Sequence, residues 1–341
     1  AISGWACSDM DNSNRSASRS DIFPSSPFWV GILLRYPIIT IFILVWGDSA
    51  VRIATYNLQN LFLAGEGALD ASIPVKGPLA PHRRVRPMAR MITQVSADVM
   101  LVQEVGSQRS LELLNEQLPE PYPQCEVVQG NSIRSIHLGV LSRYPIKLTS
   151  HRDLLLFDEA GLPLQFYQSA EQAAAQALQT SGFFRDLLQI EVQSDELPQL
   201  TLFGVHLKSK TNPPWQLHGA SVYRAAEARA LRQVVEQYRA QYPFVGVGVL
   251  GDLNDLLSSD ALQPLRELPL QDAVGAQLRR VGRNPSTYWP KRRMRIDHIL
   301  LDDVLGALLV PDSAVIHANN MARTASDHYP VSVTLNSHLQ A

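Results

Sequence analysis

At several points in this chain a charged or strongly polar residue ends or interrupts an apolar run. Asn57 follows ATY, Glu104 closes DVMLVQE, and His206 breaks LFGVHL. Asp252 and Asn254 follow VGVLG, Asp297 and His298 sit inside RIDHILL, and Asp327 and His328 come just before PVSV. Carboxylates and imidazoles beside such strands are costly to bury unless they are paired, hydrogen-bonded or bound to a metal. Gathered at one edge of a sheet pair, they would supply a set of chemical parts. Carboxylate and amide oxygens suit a hard divalent cation. A histidine held by a carboxylate suits taking a proton from water. Amide and imidazole N–H groups suit an anion on which charge develops. Each residue alone also has an ordinary reading: Asn57 as a turn or cap, Glu104 as a salt-bridging carboxylate, His206 as a satisfied core histidine, GDLND as an Asx-rich turn. The combination carries the signal.

These residues need elements to position them. VRIATY (51–56) alternates apolar and polar residues as a strand does, and DVMLVQEV (98–105) is a nearly continuous apolar run fit for a buried strand. HLGVLS (137–142), LLQIEV (187–192), LTLFGVHL (200–207), FVGVGVL (244–250), RIDHILL (295–301) and PVSVTL (330–335) read as further strands. Pro87 is expected in the first turn of a helix whose Met88, Met91, Ile92 and Val95 share one face. Leu231, Val234, Val235 and Tyr238 predict a helix over about 222–241. Phe157 to Thr180, rich in Ala and Gln, reads as an inserted loop with a short helix.

Residues 1–50 read as a leader and 51–341 as one catalytic domain. The first 27 residues are polar and rich in Ser, Asp and Asn; residues 28–47 are mostly apolar, interrupted by Arg35 and Pro37. A charged residue, the apolar run Ile38 to Trp46 and the small-residue end GDSA are the parts of a secretory signal, although Asp48 is a poor residue near a cleavage site. The expectation is a secreted or periplasmic protein. The alternatives are a membrane anchor, with membrane contact through residues 28–47, or a buried element. A formal net charge of −2 excludes a global positive field, so affinity for a polyanion must come from local patches. Two cysteines, Cys7 and Cys125, are too few for a disulfide framework or a cysteine zinc site.

The series TYNLQNLF, LVQEV, VHLKSK, GDLND, RIDHILL and SDHYPV, in that order, resembles the endonuclease/exonuclease/phosphatase superfamily over residues 51–336. The resemblance implies an α/β fold, a four-layer αββα sandwich of two packed mixed β-sheets flanked by helices. It implies Mg²⁺ as cofactor, with Mn²⁺ or Ca²⁺ as alternatives, and a phosphate-containing substrate; no obligate protein partner is evident. Carried over position by position, Asn57 and Glu104 match the metal-binding pair, and Asp327 a further position near the metal. His328 matches the general base and Asp297 the carboxylate that orients it. Asp252 and Asn254 match the pair near nucleophile and phosphate, and His206 a histidine that contacts the phosphate or assists the leaving oxygen. Many relatives carry an acidic residue two places after the matching Asn, where this chain has Gln59, which puts a second metal ligand in doubt. His298 reads as structural, since adjacent strand residues face opposite ways.

The substrate is expected to be nucleic acid, making the protein a nuclease-like phosphodiesterase. A phosphatase or phospholipase C-type enzyme on inositol phosphates or lipid headgroups is the alternative. Arg185, Lys208, Arg293 and Arg295 are the candidate substrate-binding cations. The last two belong to a cluster with Lys291 and Arg292; other clusters are Arg83, Arg84, Arg86 and Arg90, and Arg279, Arg280 and Arg283. Tyr288 and Trp289 offer a stacking surface for a base, an insertion at a membrane surface, or packing residues.

Overall fold

The computed structural model describes residues 50–62, 81–132, 134–154, 183–194, 199–211, 219–280, 286–291 and 294–337. The leader up to residue 49, the Phe157–Thr180 stretch, Arg283, Arg292 and Arg293 lie outside the described residues, as do the side chains of Arg83, Arg279 and Arg280. No helix among the described residues is long and apolar enough to cross a membrane.

Two six-stranded mixed sheets carry the molecule. The first holds β1 (Ala50–Leu61), β2 (Val99–Val105), β3 (Gln124–Val128), β4 (His137–Ser142), β11 (Val315–Ile316) and β12 (Val331–Asn336), in the order β11-β12-β1-β2-β4-β3. The second holds β5 (Ile146–Ser150), β6 (Leu187–Val192), β7 (Leu200–His206), β8 (Gly246–Asp252), β9 (Gln271–Asp272) and β10 (Asp297–Leu301), in the order β5-β6-β7-β8-β10-β9. The described helices are α1 (Pro81–Val95), α2 (Gln108–Asn115), α3 (Ala220–Gln241), α4 (Gln263–Arg266), α5 (Ala273–Arg280), α6 (Asp303–Leu308) and α7 (Asn320–Ala325). β1 and β2 are parallel, and so are β7 and β8; the chain returns through α1 in the first case and α3 in the second. Parallel neighbours require such a crossover.

Three apolar clusters define the layers. Val51, Ile53, Val99 and Leu101 of one sheet meet Leu200, Leu202, Leu250 and Ile299 of the other. Ala54, Tyr56, Met100 and Val102 pack beneath α1, α2 and α7. Phe203, Val205, Val247 and Val249 pack beneath α3 and α4. The fold is therefore the expected four-layer sandwich. Gly204 lets the sheets close, because a Cβ there would lie 2.5 Å from a Leu101 methyl of the opposite sheet.

The sequence reading differs from the structure in several elements. Pro87 is not in the first turn: α1 begins at Pro81, and Pro87 lies inside the helix, where its missing N–H removes one helical bond. The edge strands β3, β5 and β11 were not expected from the pattern. Their residues are half-buried or exposed, so no apolar alternation marks them.

Side-chain parity then places the polar residues. Along β1 the positions facing the other sheet are Val51, Ile53, Thr55 and Asn57; along β7 they are Leu200, Leu202, Gly204 and His206. Along β8 they are Gly248, Leu250 and Asp252, and along β10 Asp297, Ile299 and Leu301. Register brings these ends together: His206 pairs with Asp252, and Asp252 with Asp297. Glu104 arrives by another route. Regular alternation would put it with Met100 and Val102 under the helices. A bulge between Gln103 and Val105 instead turns Val105 to that face, with Glu104 at φ 62°. Backbone held in this region by a non-glycine residue is a strain that recurs at functional sites.

Candidate active site

The polar ends meet as a cap on the core between the sheets. Asn57 Nδ2 donates to Asp252 Oδ2 at 3.0 Å and lies 3.4 Å from Glu104 Oε1. The Asn60 N–H holds Glu104 Oε2 at 2.9 Å. His206 Nε2 is 3.5 Å from Asp252 Oδ2 and 3.8 Å from Glu104 Oε1. Asp297 receives His328 Nδ1 at 2.9 and 3.1 Å through its two oxygens. The other imidazole edge, Nε2, lies 3.8 Å from Asp252 Oδ2 and 4.0 Å from Asp327 Oδ1. Asn254, at φ 54°, donates its N–H to Asp252 Oδ1 at 2.8 Å and its Nδ2 to the Leu207 carbonyl at 2.9 Å. The site thus brings together Asn57, Glu104, His206, Asp252, Asn254, Asp297, Asp327 and His328.

Burial and charge set the protonation of this cluster. For Asp252, burial is the largest influence and raises it to about 7; His328 and the donors Asn254 and Asn57 oppose that, while Asp297 adds to it. Burial also raises Asp327, with Glu104 adding to the shift. For His328, burial lowers the pKa, but Asp297, Asp252 and Asp327 outweigh it and push it up to about 10. His206 moves the other way, well below its ordinary value, through burial first and then Arg185, His328, Arg134 and Lys208. It is a neutral imidazole whose buried Nδ1 has no partner among the described residues.

The loop after β7 is fixed from behind. Glu227 of α3, fully buried, accepts the Phe184 N–H at 2.9 Å and the Lys208 N–H at 2.6 Å. Arg224 donates to the Lys208 carbonyl at 2.9 Å and to Asp255 Oδ2 at 2.7 Å. Arg185 donates to the Leu207 carbonyl at 3.0 Å. His206 and Asn254 are therefore held by backbone that α3 locks.

The donor set fits a hard cation. Glu104, Asp252, Asp297 and Asp327 crowd one buried space; burial raises Asp252 and Asp327, and the neighbouring carboxylates Asp297 and Glu104 add to those shifts while His328 opposes them. Asn57 Oδ1 accepts the Gln59 N–H at 2.9 Å while its Nδ2 faces the carboxylates, so here the amide acts as a donor to them. Single ligand atoms of Asp252, Asp297 and His328 also lie within 4.8 Å of one another, a spacing one ion can bridge.

The sequence profile of the Endonuclease/Exonuclease/phosphatase family matches residues 54–328. The chain belongs to this family. Membership places it among metal-dependent phosphoester hydrolases. It is similar in structure to an endonuclease/exonuclease/phosphatase from Beutenbergia cavernae, at 17% identity and a TM-score of 0.54, covering 84% of this chain and 72% of that one. It is also similar to TDP2 of D. rerio complexed with a single-strand DNA product, at 18% identity and a TM-score of 0.54, covering 85% of this chain and 100% of that one. A family protein from Bacteroides thetaiotaomicron gives 14% identity and a TM-score of 0.51, with 86% and 100% covered. No curated protein matches the chain.

The expected substrate cations fare differently from the cap. The Arg295 guanidinium donates to Asp272 and meets His298 on the other face of β10. The Lys208 ammonium donates to the Thr211 and Ser209 carbonyls and lies over the Phe184 ring. Arg185 is buried against the Leu207 carbonyl, beneath the site rather than at its mouth. Arg293 lies outside the described residues. Sequence reasoning missed Ser326, whose hydroxyl donates to the Asn57 carbonyl at 2.7 Å and accepts the His328 N–H at 3.1 Å. It also missed the role of Arg84, which ties the Leu58 and Ala325 carbonyls together. Ser326 stands in the SDH triplet, a signal visible in the sequence; Arg84 stands in the sequence only as one member of a charge cluster.

Proposed function

We infer that the protein is a Mg²⁺-dependent, nuclease-like phosphodiesterase that uses a histidine-activated water. The observation that carries this reading is the Asp297–His328 pair, whose free Nε2 faces Asp252 and Asp327 beside Glu104. Glu104 and Asp327 would hold the cation, with Asn57 joining if its amide turned over. Both oxygens of Asp297 are engaged by His328 Nδ1, so the Asp252–Asp297–His328 trio reads better as a proton relay than as the ion's cage. When bound, the cation neutralises charge on the phosphoryl oxygens and assists the leaving oxygen.

The chain's own groups do the rest. Asp297 fixes the imidazole's orientation and tautomer, as a carboxylate partner does. A water attacking phosphorus beside Asp252 gives its proton to His328 Nε2. The carboxylates that raise His328 must be offset for it to be neutral near pH 7. Asn254, anchored on Leu207, and neutral His206 are placed to donate to a phosphoryl oxygen as charge grows. Nucleic acid is the preferred substrate class, because the TDP2 structure similar to this chain holds a single-strand DNA product. The 43%-exposed Trp289, tied by Nε1 to the Ser326 carbonyl at 2.9 Å, adds a stacking face at the rim.

The test incubates the purified protein with plasmid DNA and with sphingomyelin, each with Mg²⁺, with Mn²⁺ or Ca²⁺ in its place, or with EDTA. Nicking of plasmid that needs the metal is expected. Hydrolysis of sphingomyelin alone would replace this reading with the lipid-headgroup one.

A further inference from the structure

The cations near the site can be sorted by what already holds them. Arg185 is bound to the Leu207 carbonyl, Lys208 to two loop carbonyls, and Lys210 and Arg224 to Asp255. Arg84 is bound to two carbonyls and Arg295 to Asp272. Arg134 is different. It lies half-buried in the loop between β3 and β4, and its Nη2 donates to Asn60 Oδ1 at 3.0 Å. Among the described residues it has no carboxylate partner and no second acceptor.

Asn60 donates its backbone N–H to Glu104 Oε2 while its side-chain Oδ1 accepts from Arg134, so one neutral residue stands between Arg134 and the carboxylate that faces the cation position. The charge is felt inside the site: Arg134 is among the groups that hold His206, Arg185 and Lys208 down. A guanidinium offers five donors in a planar fork that matches two phosphate oxygens. One neutral acceptor leaves most of that fork open, on the rim of a centre that hydrolyses anions. The scissile group has its own donors in His206 and Asn254. Arg134 hydrogen-bonds neither of them and reaches the site through Asn60.

We propose that Arg134 is a substrate-binding residue, taking a phosphate of a nucleic-acid strand adjacent to the scissile phosphodiester on the Asn60 side of the site. This rests on the phosphodiesterase reading above.

Wild-type protein, Arg134→Gln and Arg134→Lys are compared with Mg²⁺ on a single-stranded oligonucleotide and on bis(4-nitrophenyl) phosphate, which has no neighbouring phosphate. Glutamine keeps a donor for Asn60 and removes the charge. The ratio of kcat/KM on the oligonucleotide to that on the small diester should fall roughly tenfold or more in Arg134→Gln, mainly through KM. Lysine should restore part of it. In EDTA, fluorescence anisotropy of the labelled oligonucleotide should show the slope of log affinity against log salt reduced by about one in Arg134→Gln. An unchanged ratio with an unchanged slope overturns the proposal. Equal losses on both substrates overturn it too, as would a wild-type protein that hydrolyses the small diester but neither binds nor cuts the strand. If wild-type protein hydrolyses neither substrate, the phosphodiesterase reading falls instead, and the anisotropy series still decides whether Arg134 holds a phosphate.

Discussion

Asp297 and His298 are consecutive residues of β10, both buried, yet they belong to two opposite electrostatic worlds. Asp297 faces between the sheets and holds His328, which carboxylates from three separate segments push up to about 10 against the effect of burial. His298 faces the other way, where Arg295 Nη1 meets its Nδ1 at 3.1 Å and its Nε2 lies 3.2 Å from the Asp255 carbonyl. Burial lowers His298, Arg295 lowers it further, and it sits at about 4. Both imidazoles are hidden from water to a similar degree. The difference is the sign of the charge that other elements bring to each face. One cluster is left with a polar edge facing an open chemistry; the other closes on itself as an Asp272–Arg295–His298 brace.

The largest test of that contrast is activity. His328→Ala should lower kcat by about 10²–10⁴-fold on plasmid DNA, the usual range for a positioned acid–base group. His298→Asn should lower it by less than about threefold if its role is structural. Equal losses in two folded variants would erase the distinction.

Next comes stability. Arg295→Ala leaves Asp272 buried without its partner, and urea unfolding should show a loss of roughly 3 kcal/mol, typical of breaking a buried ion pair. A loss of kcat without a loss of stability would return Arg295 to the substrate side.

The pH dependence sharpens the comparison further. His298 has a folded pKa of about 4, below its ordinary 6.5, so the unfolded chain takes up a proton that the folded one refuses. The stability it contributes is present above pH 6.5 and lost as pH falls towards 4, an effect on the order of 3 kcal/mol at about 1.4 kcal/mol per unit. His317, also held to about 4, acts in the same window. The urea midpoint of the wild type should therefore fall relative to that of His298→Asn between pH 7 and 4, a difference in which the opposing contribution of raised carboxyls such as Asp252 cancels. A His298 ring resonance titrating near 6.5 by NMR would contradict the brace. The smallest effect concerns the rim. Trp289→Ala should raise KM for single-stranded DNA by about fivefold with little change in kcat, the low end of base-stacking contributions.

The alternation of apolar and polar residues made the main strands legible, and with them the members of the cap. Asn57, His206 and Asp252 continue the inward-facing series Val51–Ile53–Thr55, Leu200–Leu202–Gly204 and Gly248–Leu250, and Asp297 begins the series that runs on through Ile299 and Leu301, so period-two parity aims them correctly from sequence alone. Glu104 is a case where parity would have misdirected, since only the bulge frees it from the helix side. The cations were not legible in the same way. Arg185, Lys208 and Arg295 have flexible side chains whose partners come from distant elements, and proximity to a motif gave no hint of a Leu207 carbonyl, a Thr211 carbonyl or Asp272. Arg134 drew no notice because nothing local distinguishes it. Its meaning comes from what it lacks.

The sequence by itself determined which chemical groups are available and, through strand periodicity, which face most of them would take. Only the tertiary structure decided which of them meet and with what charge around them, because hydrogen bonds and electrostatic fields depend on distances between segments as far apart as residues 57 and 326, which no local pattern encodes.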